Sequence, residues 1–455
     1  MRAFWDNGGA AARPAFIRQG GGSMTYGELY HAADAWAAQL PQRSLIFIKA
    51  ANNIPTLIAY LGCLRNGHVC MPVSKDMGTD MFGTLCSIYE PDFIYEPAEG
   101  EEYRLRPYAE APKRTVLHPD LALLLSTSGS TGSPKLVRLT KQNVFSNACA
   151  IAEYLELTEQ ERPVTNLPFY YSYGLSVLNS HLQVGATLLL TSDSIISPAF
   201  WAFCREQGVT SMSGVPYTYD MLEAVAFRKS CPETLRTLTQ AGGHMAQEKV
   251  QAYAEWSAAS GRRFYVMYGQ TEATARMSYL PPQEALRRSS SIGIAIPGGS
   301  FSVLAEDGST IAAEDCEGEL IYHGANVSMG YALCKEDLAL GDTNNGTLHT
   351  GDVAKRDAEG FYYITGRLKR FLKIAGNRFG LDELERQLAK QGIEVVCGGS
   401  DGRLQVAITD AAAKKATADY LKATWHLLRN QYEIRVVDSI PRSSTGKILY
   451  GELFA

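Results

Sequence analysis

Short apolar runs alternate with helix-period stretches through the first half of the chain. Leu45 to Ile48 reads as a buried strand, and Ile54 to Leu64 as a helix stopped by Asn66-Gly67. Val69 to Val73 is strand-like, Thr79 to Tyr89 helical, and Phe93 to Tyr95 strand-like again. Such βαβ repetition predicts an α/β fold with mostly parallel sheets covered by helices. A polar insertion around Pro97 to Pro119 interrupts the pattern, which resumes with the apolar run Leu121 to Leu125. From about Lys141 a helix is predicted, with Val144, Ala148, Ile151, Ala152 and Leu155 on one face. A further strand candidate spans Phe264 to Met267.

The texture changes near Ser291. Phe301 to Leu304 and Gly318 to Tyr322 are short strands separated by turn signals such as Glu306-Asp307-Gly308, which predicts a β-rich subdomain at about 291–366. After Gly366 comes the basic stretch RLKRFLK, followed by some 85 residues of mixed strand and helix. The predicted boundary therefore separates a large core, 1–366, from a small α+β domain, 367–455.

Composition narrows the function classes. With 455 residues, 45% hydrophobic and 20% charged, the chain has the make-up of a globular protein of two or three domains. Its net charge of -5 argues against a nucleic-acid footprint, which needs a basic excess. The nine cysteines are scattered, with no C-x-x-C and no zinc-type spacing, and read as reduced thiols. No apolar run approaches the ~18–20 residues needed to span a bilayer. The opening MRAFWDNGGAAARPAF lacks the apolar stretch of a signal peptide, so a cytoplasmic protein without membrane insertion is expected.

The most informative segment is Ser126-Thr127-Ser128-Gly129-Ser130-Thr131-Gly132-Ser133-Pro134-Lys135. Six of its first eight residues carry hydroxyls and the other two are glycines. Glycines let backbone N–H groups turn inward onto a phosphate, hydroxyls donate without fixing a charge, and Lys135 adds one cation. The segment lacks the Gly-Lys-Ser/Thr of a P-loop. A flexible Ser/Gly linker is the alternative, but a strand directly before it and an amphipathic helix after it argue against that.

This segment resembles the phosphate loop of the ANL superfamily, which comprises acyl- and aryl-CoA synthetases, nonribosomal peptide synthetase adenylation domains and luciferases. Four more segments resemble the family's motifs in the family's order: Tyr268-Gly269-Gln270-Thr271-Glu272; Gly318-Glu319-Leu320 with Gly324 and Gly330-Tyr331; Thr350-Gly351-Asp352 with Gly366-Arg367; and Pro441-Arg442-Ser443-Ser444-Thr445-Gly446-Lys447. Gln240-Ala241-Gly242-Gly243 matches the small-residue segment beside the adenine and acyl pockets. The resemblance runs from Thr25-Tyr26 to Lys447 and is closest to acyl-CoA synthetases.

The resemblance implies ATP-dependent conversion of a carboxylic acid to its acyl-adenylate, then transfer of the acyl group to a pantetheine thiol, on CoA or on an acyl carrier protein. It implies that Tyr268 stacks on adenine, that Thr271 contacts the α-phosphate, and that Glu272 helps hold Mg²⁺. A carboxylate beside a triphosphate makes sense mainly through a metal. Asp352 and Arg367 would grip ribose. Lys447 would offset charge in the transition state; one such pair at ~4 Å and an effective dielectric of ~20 is worth roughly 4 kcal/mol before desolvation. Lys369 falls at the family's hinge, about which the small domain is implied to swing.

Ala375-Gly376-Asn377-Arg378-Phe379-Gly380 resembles the family's thiol-tunnel segment, with Gly376 lining the tunnel and Arg378 placed to meet a phosphate. Two departures matter. Where amino-acid-activating relatives hold the α-amine with an aspartate, the matching position in Phe169-Tyr170-Tyr171-Ser172-Tyr173-Gly174-Leu175 is Ser172, which implies a simple carboxylic acid. Where many CoA synthetases carry a histidine stands Tyr171, as a gate to the tunnel or as packing for the acyl pocket. Tyr170, Tyr171, Tyr173, Tyr217 and Tyr219 form a tyrosine-rich wall that is either core or pocket lining. The short C-terminal region hints at a carrier protein as acceptor. The competing readings are an adenylate-only activator delivering to an amine, an amino-acid adenylation domain, and a nucleotide-binding module without catalysis.

Overall fold

The computed structural model describes residues 2–99, 102–109, 115–126, 135–368, 370–374, 377–442 and 448–454, with the side chains of Asn377 and Arg378 excepted. The chain divides into two compact units, Met1–Ser300 with Tyr322–Leu348, and Phe301–Ile321 with His349–Ala455. The predicted 366/367 boundary falls inside the second unit.

The first unit is built on two sheets that mix parallel centres with antiparallel edges. In the larger, seven strands lie in the order Tyr331–Ala332, Leu136–Thr140, Leu121–Ser126, Val69–Ser74, Leu45–Ala50, Phe93–Pro97, Tyr103–Pro107. Leu45–Ala50 pairs in parallel with both Val69–Ser74 and Phe93–Pro97, as the βαβ pattern predicts. Val69–Ser74 is buried along almost its whole length, the mark of a strand covered on both faces. The connecting helix Ile54–Asn66 starts where the Asn53 side chain accepts from Thr56 N–H, with Pro55 in its first turn, and stops at Gly67 in the left-handed region (φ 79°).

The second sheet sets Ser211–Gly214, Thr237–Gln240 and Arg263–Tyr268 in parallel, then adds Ser278–Leu280 and Ile294–Ala295 antiparallel. Pro14–Arg18, Ser23–Thr25 and Leu188–Leu190 form a third, small sheet.

In the second unit, Phe371–Ile374 and Asn377–Gly380 form a hairpin. A three-stranded sheet, Val395–Ser400, Arg403–Ile408 and Tyr432–Val436, follows with helices Leu381–Ala389 and Ala413–Thr424. Leu384, Leu388, Val406, Ile408 and Leu421 supply its core. A four-stranded sheet, most of whose residues belong to this unit, runs Gly299–Leu304, Gly318–Gly324, Thr347–Arg356, Tyr362–Arg367. This α/β architecture, a large N-terminal part followed by a small α+β region, is the fold class expected.

Some local readings change. The polar insertion contains a strand, Tyr103–Pro107, antiparallel to Phe93–Pro97; its alternating arginines are tolerated because the strand lies at the sheet edge, where Arg104 and Arg106 reach Glu96. Helix Lys141–Tyr154 buries Asn147 and Ala150 besides the predicted stripe, and leaves Ala152 half-buried. The basic run is no surface patch at Arg370, which pairs with Asp382 and Glu385. All nine cysteines are free thiols, five of them buried. No helix among the described residues is long and apolar enough to cross a membrane.

Candidate active site

The phosphate-loop segment leaves the sheet at Ser126, the exposed end of the buried strand Leu121–Ser126, and Lys135 precedes the strand Leu136–Thr140. Ser126 pairs with Leu136, so the ends of the loop are fixed to neighbouring strands. Thr127, Ser128, Gly129, Ser130, Thr131 and Gly132 lie outside the described residues. The Lys135 ammonium sits 3.8 Å from the centroid of the Tyr331 ring. The Tyr331 hydroxyl donates to Glu272 Oε1 at 2.6 Å. Burial, and next the Glu272 charge, push the Tyr331 phenol well above its ordinary range, so it stays a donor. One tyrosine thus joins the last cation of the loop to the acid of the Y-G-Q-T-E segment.

That segment turns sharply after strand Arg263–Tyr268. A Cβ on Gly269 would collide with the Ala275 carbonyl oxygen, so only glycine fits. Thr271–Ala273 makes a short 3₁₀ turn, and Thr274 and Ala275 follow with φ of 56° and 91°. Such backbone persists because its surroundings hold it. Asn326 donates to the carbonyls of Ala273 (2.7 Å) and Arg276 (3.0 Å), Thr274 Oγ1 donates to Asn326 O (2.7 Å), and Ser328 N–H donates to Glu272 O (2.8 Å). Gln270 Nε2 donates to the Tyr268 hydroxyl at 3.3 Å.

Thr271 meets a residue from a different motif: its Oγ1 lies 3.1 Å from Ser172 Oγ, at the start of helix Ser172–Gln183. The tyrosine wall divides. Tyr173 and Tyr219 are core, both donating to Thr239 O, at 3.0 and 2.9 Å. Tyr217 is 50% exposed. Tyr171 reaches the Gly242 backbone, where φ is +80° and a Cβ would overlap the Tyr171 hydroxyl. Gly243 O accepts from Gln240 Nε2 at 2.9 Å, which closes the turn.

Sequence reasoning passed over Arg138. Its side chain is 1% exposed, with Nε donating to Tyr331 O (3.1 Å) and Nη2 to Met329 O (2.8 Å) and Gly341 O (3.2 Å). Nη1 reaches Leu340 O. Desolvation lowers its pKa, against the pull of Asp337 and Asp342. An arginine inside the apolar run Leu136-Val137-Arg138-Leu139 was the available signal. Tyr331 stands in the sequence only as the end of a family-like Gly-Tyr pair, with no role attached to its side chain.

In the second unit Asp352 and Arg367 stand opposite each other on antiparallel strands. Arg367 Nε lies 2.9 Å from Asp352 Oδ1, with the aspartate side chain 4% and the arginine 63% exposed. Gly351 (φ 69°) makes the bend, and Thr350 Oγ1 ties it to Leu320 O at 2.6 Å while accepting from Asp352 N–H at 3.1 Å. Lys369, Gly376 and Lys447 lie outside the described residues. The Arg378 backbone pairs with Lys373 in the hairpin, and its side chain is likewise outside them.

A family model described as AMP-binding enzyme matches residues 83–332, more than half of the chain. Feruloyl-CoA synthase of Amycolatopsis sp is 26% identical over 96% of this chain and 94% of its own length. The 2-succinylbenzoate--CoA ligase of Bacillus subtilis (strain 168) is 27% identical over 95% and 93%. Among solved structures, O-succinylbenzoate Coenzyme A Synthetase (MenE) from Bacillus subtilis in complex with AMP superposes with TM-score 0.79 at 22% identity, covering 100% of this chain and 98% of that one. ATP-bound MatB from Rhodopseudomonas palustris gives 0.80 at 20% identity, covering 99% and 97%. The chain belongs to the AMP-binding enzymes, the ANL superfamily of adenylate-forming enzymes, as one of acyl-CoA synthetase type.

Proposed function

We propose that this enzyme activates a small carboxylic acid with ATP and hands the acyl group to a pantetheine thiol, on CoA or on an acyl carrier protein, in the cytoplasm. The acid's carboxylate oxygen attacks the α-phosphorus, the bond to the bridging oxygen breaks, and pyrophosphate leaves. The thiol sulfur then attacks the acyl carbon, its proton passes to solvent, and AMP departs. Neither step needs a covalent enzyme nucleophile, so the protein's part is positioning and charge stabilisation.

In this reading Ser126, Thr127, Ser128, Gly129, Ser130, Thr131, Gly132 and Lys135 bind the β- and γ-phosphates. Gly242, Gly243, Tyr268, Gly269 and Gln270 border the adenosine, and Asp352 and Arg367 hold ribose. Thr271, braced by Ser172, meets the α-phosphate, and Lys447 neutralises charge as the new bond forms. Glu272 would hold Mg²⁺; a single carboxylate suits an ion that takes one or two protein ligands and completes its shell with phosphates and water. Bound there, Mg²⁺ would shield the phosphate charge. A swing of 367–455 about Lys369 would then exchange Lys447 for Gly376 and Arg378 at the acyl-adenylate, with Tyr171 at the thiol path or against the acyl pocket.

The observation that carries this reading is the Lys135–Tyr331–Glu272 arrangement, a cation and a carboxylate from two motifs held on one aromatic residue. The test is acid-dependent exchange of labelled pyrophosphate into ATP over aliphatic, aryl and amino acids, with Lys447→Ala alongside. Exchange with simple acids, lost in the variant, is expected. Exchange with α-amino acids alone would overturn the Ser172 argument, and silence from a protein that still binds ATP would overturn the reaction. Thioester formation with CoA against a phosphopantetheinylated carrier protein separates the two acceptors.

A further inference from the structure

The loop from Pro168 into helix Ser172–Gln183 is held unusually tightly. Tyr171 N–H donates to Pro168 O at 3.1 Å, and Tyr171 O accepts from Leu175 N–H at 2.9 Å. Gly174 packs so closely that a Cβ there would collide with Pro168 O. Tyr173, two residues after Tyr171, is fixed by its hydroxyl, 2.8 Å from Thr239 Oγ1, and Tyr171 meets that ring edge-on at a centroid distance of 6.3 Å. Tyr171 therefore projects from a rigid frame.

It projects onto the ends of two parallel strands. Strand Ser211–Gly214 leads into Val215, and strand Thr237–Gln240 into Ala241-Gly242-Gly243. A Cβ on Gly242 would overlap the Tyr171 hydroxyl and come within 3.2 Å of Val215 Cγ1; one on Gly243 would meet Pro216 at 3.1 Å. Ligand crevices of parallel sheets open at the carboxyl ends of their strands. Here a phenol already spans that end and rests on bare backbone.

We infer that Tyr171 is the specificity-determining residue that ends the acyl pocket, and that the substrates are short straight-chain carboxylic acids rather than long-chain or bulky aryl acids. The inference rests on the proposed adenylation reading and on the resemblance that sets Gly242 and Gly243 beside the acyl pocket as well as the adenine. Burial pushes the Tyr171 phenol up to about 12, so the group standing there is a neutral hydroxyl.

The test is a chain-length profile of pyrophosphate exchange with acetate, butyrate, hexanoate, octanoate and benzoate. The intact enzyme should peak at butyrate or shorter. In Tyr171→Ala the octanoate-to-butyrate ratio of kcat/KM should rise roughly tenfold or more, since each methylene admitted to an apolar pocket is worth about fourfold. Tyr171→Leu, closer in packing, should move the same ratio part of the way. An intact enzyme that works best on octanoate or benzoate overturns the inference without any variant having to fold. So does a ratio unmoved in both variants. Exchange with no acid at all overturns the adenylation reading and this inference with it, whereas exchange without a short-chain preference overturns only the latter.

Discussion

Tyr331 donates its hydroxyl to Glu272 Oε1 across 2.6 Å, although the two residues lie 59 positions apart. A carboxylate given such a donor loses one rotational freedom and keeps a fixed oxygen toward its site. Hydrogen bonds to charged groups are worth about 1.5–3 kcal/mol, less where solvent competes. Tyr331→Phe should therefore lower kcat/KM for ATP in pyrophosphate exchange by roughly tenfold and raise the Mg²⁺ concentration for half-maximal rate. The ring under Lys135 survives that change, so Tyr331→Leu should lose more. An unaltered Mg²⁺ titration in Tyr331→Phe would dismiss the positioning role.

Arg138 holds the segment that carries Tyr331. Arg138→Met keeps the volume and takes a donor from the carbonyls of Tyr331, Leu340, Gly341 and Met329, the last of which still accepts from Thr343. Leaving buried acceptors unpaired costs about 1–3 kcal/mol each before water replaces the lost donor. A loss of roughly 3 kcal/mol in urea unfolding is expected, and Arg138→Lys should recover only part because an ammonium lacks the planar fork. A midpoint unchanged from the parent protein would mean the carbonyls find other donors.

Two glycine substitutions should move stability in opposite directions. Gly269→Ala drives a methyl into the Ala275 carbonyl, so loss of soluble protein or of AMP binding by calorimetry is expected. Gly83 lies exposed in helix Thr79–Tyr89 with nothing within 4 Å of its missing Cβ. Gly83→Ala should therefore stabilise by about 0.5–1 kcal/mol in the same unfolding assay.

His181 supplies a pH dependence. Its Nδ1 lies 2.8 Å from Val177 O, which fixes the proton on Nδ1, and Nε2 lies 3.3 Å from Ser211 Oγ. Burial lowers its pKa to about 4; the hydrogen bond to Val177 and the Glu161 charge oppose this, and Arg276 adds to it. The unfolded histidine, near 6.5, binds its proton first as pH falls, so the native state loses stability on acidification between about 6.5 and 4. The loss over that window is up to about 3 kcal/mol. Urea midpoints in His181→Gln should fall less steeply from pH 7 to pH 4.5, and parallel slopes in the two proteins would refute the assignment.

Much of the chain could be read without coordinates. The helix after Asn53 begins and ends on groups within its own few residues, an asparagine side chain, a proline and a left-handed glycine. The strands around Val69 and Leu45 announce themselves by being apolar on both faces. Y-G-Q-T-E was legible through its resemblance to a family motif, and the structure gives its glycine a reason, since a Cβ there would meet the Ala275 carbonyl. The edge strand Tyr103–Pro107 was not, since its arginines are acceptable only beside an edge neighbour that offers Glu96.

Partnership across distance was decided by the tertiary structure alone. Ser172, read from sequence as a missing ammonium partner, proves to stand against Thr271. Arg138 is a cation in a core because four carbonyls from a segment some 200 residues later surround it. Tyr171 lies against Gly242 because two strand ends and a helix start converge there. Capping, turning and patterning are interactions between near neighbours, so they are written in the order of residues, as are the motifs that mark the family. Which distant side chain completes a site depends on how the layers pack, and packing is a property of the folded whole.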